Sequence, residues 1–160
     1  MTNDTTATAN RPPVPHPRNR LLDVLVGRWR SQGRTVTTPA VRIEGFDDYE
    51  WMAGGFFLVH RVDVRMDDQR VEVIEMIGPY DPAGGTFPMR SFDNHGAFVT
   101  MQATVGDDGV WTFTGETERA TLVIAEDGAS MAARWERTDD GSTWHHWMDM
   151  TFTKTTASPS

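Results

Sequence analysis

Asp-Gly pairs recur at Asp108-Gly109, Asp127-Gly128 and Asp140-Gly141, each between runs of β-branched and aromatic residues. Asp-Gly favours the positive φ angles of tight hairpin turns, so the second half of the chain has to reverse repeatedly as antiparallel strands. Breaks at Thr38-Pro39, Gly54-Gly55, Asp67-Asp68, the Asp81 to Gly85 segment and Asn94 to Gly96 carry the pattern back toward the N-terminus. Together they predict about ten strands, near 27-38, 40-51, 55-66, 69-78, 85-92, 96-105, 109-116, 118-126, 129-138 and 142-154. One segment stands apart: Asn19 is placed to cap a short helix with Leu21, Leu22, Leu25 and Val26 as its apolar residues, ended by Gly27.

Short connections make this a meander, and a meander of about ten strands has two long edges unless it closes. The expected fold is therefore all-β: about ten antiparallel strands closed into a barrel with one short N-terminal helix, wide enough for a ligand-sized interior. The expected domain is single and spans 18-154, with disordered polar tails at 1-17, which holds Pro12, Pro13, Pro15 and Pro17, and at 155-160.

Side chains two apart on a strand share a face. In the third strand Phe56, Leu58, His60, Val62 and Val64 oppose Phe57, Val59, Arg61, Asp63 and Arg65, so the first set is expected to point inward. In the last strand Trp144, His146, Met148, Met150 and Phe152 form one face, and in the ninth Met131, Ala133 and Trp135 do. The fourth strand is ambiguous, because Val71, Val73, Glu75 and Ile77 compete with Glu72, Ile74, Met76 and Gly78; the facing of the fifth is equally open.

The stretch Leu22-Asp23-Val24-Leu25-Val26-Gly27-Arg28-Trp29-Arg30-Ser31-Gln32-Gly33, a short helix running into Gly-x-Trp, resembles the opening of calycin-like barrels of the nitrobindin and fatty-acid-binding-protein type. Ala53-Gly54-Gly55-Phe56-Phe57-Leu58, Gly78-Pro79-Tyr80-Asp81, Ser91-Phe92-Asp93-Asn94-His95-Gly96 and Asp140-Gly141-Ser142-Thr143-Trp144 resemble a bacterial calycin-like family of unknown function. The resemblance covers roughly residues 20 to 154 and implies a ten-stranded, lipocalin-like barrel plugged near one end by the helix, with Trp29 over its floor. It implies no established reaction. Nitrobindins hold ferric haem through one histidine on a late strand, and His146 is the nearest candidate here.

Composition narrows the function classes. A net charge of -8 opposes attraction to nucleic acid or an anionic membrane. Cysteine is absent, which removes disulfides, thiol nucleophiles and thiolate metal sites and suits a reducing compartment. Met1 to Asn10 has no apolar leader core, and no apolar run approaches the ~18 residues of a membrane span, so the expected location is cytoplasmic. No Gly-x-Ser-x-Gly elbow is present, Gly54-Gly55 and Gly84-Gly85 do not open helices, and the acidic pairs Asp47-Asp48, Asp67-Asp68, Asp107-Asp108 and Asp139-Asp140 lack a calcium-loop pattern.

What remains is an interior rich in Met and Trp with a few polar groups, the usual make-up of a small-molecule site. His145 and His146 are adjacent and face opposite sides, so they cannot chelate one metal together. His95 belongs to a turn and His16 to the Pro-rich tail. Glu75 is the one mid-strand acid in an otherwise apolar run, and no acid pair is nominated. The candidate ligand-binding residues are Tyr49, Trp51, His60, Arg90, Gln102, Trp135, His146 and Met148. The leading expectation is binding of a small, largely apolar ligand, with no catalytic residue and no metal assigned. The alternatives are a haem protein using His146 and a small barrel isomerase or cyclase on a hydrophobic metabolite. Outward Phe57, Val59 and Trp147 would supply a homodimer patch.

Overall fold

A computed structural model describes residues 11–156. After a 3-10 helix, Pro17–Leu25, come ten strands: β1 Gly27–Thr35, β2 Arg42–Trp51, β3 Leu58–Met66, β4 Gln69–Ile77, β5 Phe87–Asp93, β6 Phe98–Val105, β7 Trp111–Gly115, β8 Glu118–Ile124, β9 Ser130–Arg137 and β10 His145–Lys154. Each strand pairs antiparallel with its chain neighbours, and β1 pairs with β10 from Trp29↔Lys154 to Thr35↔Met148, so the sheet closes without an edge. This is the expected barrel. The glycines of the three Asp-Gly turns sit at φ +78, +68 and +78, the region that excludes most side chains.

The helix differs from the expected one in pitch. A 3-10 helix has three residues per turn, so Asn19, Leu22 and Leu25 stack in one buried row while Leu21 and Val24 face water. Asn19 is not the cap; His16 is, accepting from the Arg18 N–H. Asn19 instead ties the helix to the barrel. Its Nδ2 donates to the carbonyls of Gly55 (2.7 Å) and Phe56 (3.0 Å), and its Oδ1 accepts from the Tyr80 N–H (2.9 Å). Trp29, fully buried, donates from Nε1 to the Leu25 carbonyl. Helix and indole thus seal one end of the barrel over a packed layer that includes Leu58, Ile77, Phe87 and Trp111.

Ahead of the helix, the His16 ring packs on Tyr80 at a tilt of 43°, with ring centroids 4.7 Å apart. The outer parts of the two expected tails, residues 1–10 and 157–160, lie outside the described residues.

Register settles the faces that alternation left open. β4 pairs with β3 as Leu58↔Ile77 and His60↔Glu75, which turns Val71, Val73, Glu75 and Ile77 inward and leaves Ile74 exposed. β5 presents Phe87 and Met89 to the core, with Arg90 outside. One expectation of facing fails. β10 carries a register shift between His146 and Met148, so Met148, Met150 and Phe152 keep the inner face while His146 joins the exposed Asp149. A bulge inserts one residue and reverses alternation on one side of it.

Candidate polar site on the inner wall

Four adjacent strands place polar side chains directly opposite one another on the inner wall: Tyr49↔His60 between β2 and β3, His60↔Glu75 between β3 and β4, and Glu75↔Ser91 between β4 and β5. Asp47, two residues before Tyr49 and so on the same face, completes the group. His60 Nε2 lies 2.7 Å from Asp47 Oδ2 and its Nδ1 2.9 Å from Glu75 Oε1. The Tyr49 ring stacks on the imidazole at 3.9 Å and 7°. Ser31 on β1, fully buried, donates from its hydroxyl to Asp47 Oδ1.

The protonation state follows from this geometry. A neutral imidazole has one N–H and one lone pair, so one carboxylate would face a lone pair; the imidazolium donates to both. Burial opposes the charge, but the hydrogen bonds and negative charges of Asp47 and Glu75 outweigh it and raise the His60 pKa to about 9. Burial, with Asp47 and Glu75 adding to it, pushes the Tyr49 phenol well above its ordinary value, which keeps the hydroxyl protonated. Asp47 and Glu75 are 6% and 8% exposed, and two carboxylates against one imidazolium leave a formal charge of -1 inside the barrel. Burying such a set is costly unless every member is paired, which explains why Ser31 and both imidazole nitrogens are committed to it.

The same pairing limits the chemistry. With both nitrogens donating, His60 has no lone pair for a metal or for a substrate proton. His146 Nε2 bonds the exposed Asp149 at 2.9 Å, His95 bonds Gln69 on the surface, and His16 and His145 are exposed. The histidines therefore do not fit an axial haem ligand inside the barrel. Among the described residues no group of three or more His, Asp or Glu converges as a metal site.

The structure brings together some of the candidate residues and separates others. Tyr49 and His60 touch. Trp135 and Met148 are cross-strand partners, both partly buried against the core. Trp51 donates from Nε1 to Asp23 Oδ1 (2.7 Å) and so belongs to the helix seal. Arg90 and Gln102 are exposed on the outer face, Gln102 accepting from Thr86. Sequence reasoning missed Asp47, Ser31 and Ser91, and set Glu75 aside for want of a partner. The available signal was parity, since Asp47 alternates with Tyr49 and Trp51.

Packing divides the interior. The helix side is filled, but Val62 and Val73, mid-strand, mutually paired and inward, are only partly buried, as are Met66, Val71, Trp135 and Met148. An inward side chain of a closed barrel keeps accessible surface only through interior space or the mouth. A separate open groove of about 570 Å³ lies on the outside, along Gln32, Arg34, Arg42, Asp149 and Thr151.

No curated protein matches this chain. Among solved structures, the Rv2717c protein of M. tuberculosis is similar at 12% identity and TM-score 0.64, over 88% of this chain and 99% of the other. The S-type phycobiliprotein lyase CPES of Guillardia theta is similar at 10% identity and TM-score 0.62, over 87% and 93%. At these identities the likeness concerns the barrel alone. No described helix is long and apolar enough to cross a membrane, which says nothing of strands. A family model matches residues 14–154, nearly the whole barrel and its helix, and the chain belongs to that family, the proteins of unknown function DUF1579.

Proposed function

We propose that this protein is a non-catalytic receptor that takes a small, largely apolar molecule into the half of its barrel away from the helix. The observation that carries this reading is the partial accessibility of Val62 and Val73 at mid-strand, beside the buried polar row. Apolar surface lost from water at roughly 25 cal/mol per Å² would drive entry, and the polar row would fix the pose. Trp135, Met148, Met66 and Val71 form the mouth in this account. The proposed setting is cytoplasmic, in keeping with the absence of cysteine.

The saturated imidazole argues against acid/base turnover at His60, since a general base must present a lone pair. Native mass spectrometry of protein taken from its own cells tests the proposal. A co-purified small molecule, displaced by Trp135→Ala or by Val73→Trp, which fills the space, is the expected result. If both variants leave the bound mass unchanged, the ligand sits elsewhere and the interior reading fails.

A further inference from the structure

The polar row has a deficit of donors. Both His60 N–H groups are spent on Asp47 and Glu75, and the Ser31 hydroxyl on Asp47. Ser91 donates to the Val99 carbonyl. Among the described residues, Glu75 Oε2 and Tyr49 Oη have no protein partner, yet no buried side-chain nitrogen or oxygen is left unpaired. Both atoms therefore open onto accessible space rather than being sealed into the wall. An incoming carboxylate or phosphate would meet two carboxylates and, as its one free donor, the neutral Tyr49 hydroxyl. An incoming N–H group would meet an unpaired carboxylate oxygen, a phenol oxygen and a formal charge of -1, in a setting where charge-assisted hydrogen bonds are strong.

We propose that the interior ligand is an apolar molecule bearing a protonated amine, with Glu75 Oε2 as its ion partner and Tyr49 Oη as a second acceptor. The inference rests on the receptor reading and adds the chemical class. The apolar body lies against Val62, Val71 and Val73, and the ammonium restores neutrality to the Asp47, His60 and Glu75 set.

Calorimetry at pH 7 with three probes of one shape tests it: 1-naphthylmethylamine, 1-naphthalenemethanol and 1-naphthoic acid. The amine is expected to bind about tenfold more tightly than the alcohol, as a charge-assisted bond adds to the same apolar contact, with the acid weakest. Glu75→Gln keeps an acceptor for His60 while replacing the free oxygen by a donor. It should lower amine affinity to that of the alcohol and leave the alcohol unchanged. If alcohol and amine bind equally, or the acid binds best, the amine assignment is overturned while interior binding stands. If none of the three binds, both fall. The ranking on the unaltered protein decides even where Glu75→Gln fails to fold, and Tyr49→Phe, which should weaken the amine alone, supplies a second variant.

Discussion

The two halves of the barrel's inner wall are built on different principles. From β6 to β9 it is apolar: Met101, Ala103, Trp111, Phe113, Ala120, Leu122, Met131 and Ala133 are all buried. From β2 to β5 the same inward positions hold Asp47, Tyr49, His60, Glu75 and Ser91 among Ile43, Leu58, Val64 and Ile77. The apolar half contributes stability through burial and tight fitting, which is insensitive to pH. The polar half is held by charges that each need the others, so its contribution depends on protonation and on every member being present.

Single substitutions on each wall separate the two principles. Trp111→Ala should cost about 3–5 kcal/mol by urea denaturation, equally at pH 5 and pH 8, because it opens a cavity between neutral groups. His60→Leu should cost about 3–5 kcal/mol at pH 6 by leaving two carboxylates without their shared donor, and less as the pH climbs toward 9, where the native imidazolium itself loses its proton. Equal pH profiles for the two variants would break the comparison.

The unaltered protein should carry the same signature. His60 has its folded pKa raised to about 9 from 6.5, so its stabilisation is complete below pH 6.5 and is lost as the pH climbs through about 9. The difference amounts to roughly 3 kcal/mol. Chemical denaturation across pH 6 to 10 should show this decline, and His60→Leu should abolish it.

Smaller effects sharpen the outline. Asn19→Ala removes the helix seal's three hydrogen bonds and leaves two part-buried carbonyls and the Tyr80 N–H without that partner, for an expected loss of about 1–3 kcal/mol. Faster amide exchange near Gly55 and Tyr80 should accompany it. His146→Ala should change stability by no more than about 0.5 kcal/mol, since the half-buried ring lies on the outer face and bonds only the exposed Asp149. A large loss would return His146 to the interior.

Local patterns in the chain carried the architecture. Asp-Gly turns and alternation located ten strands, and parity alone turned His60 and Leu58 inward. The polar row was harder to see because its members are 49, 60, 75 and 91, joined only by cross-strand register, which local pattern does not encode. Asp47 read only as part of a strand within an acidic pair, with no reason to single it out, and its neighbour Asp48 does pair with Arg28 on the outside. Glu75 stood out as an acid in an apolar run, but its reason, His60 on the neighbouring strand, was invisible. His146 was misplaced by a bulge, which shifts alternation without a distinctive residue. The short helix was legible, but Asn19 read as its cap and Leu21 as one of its apolar residues, where the structure buries Asn19 and exposes Leu21.

The central claim is that an imidazolium is held between two carboxylates inside the barrel, and nitrogen NMR of the His60 ring tests it most directly. The account expects both ring nitrogens to remain protonated from pH 5 to about 9, coupled to slowly exchanging, strongly deshielded protons. A midpoint near 6.5, or a neutral ring at pH 7.5, would contradict it.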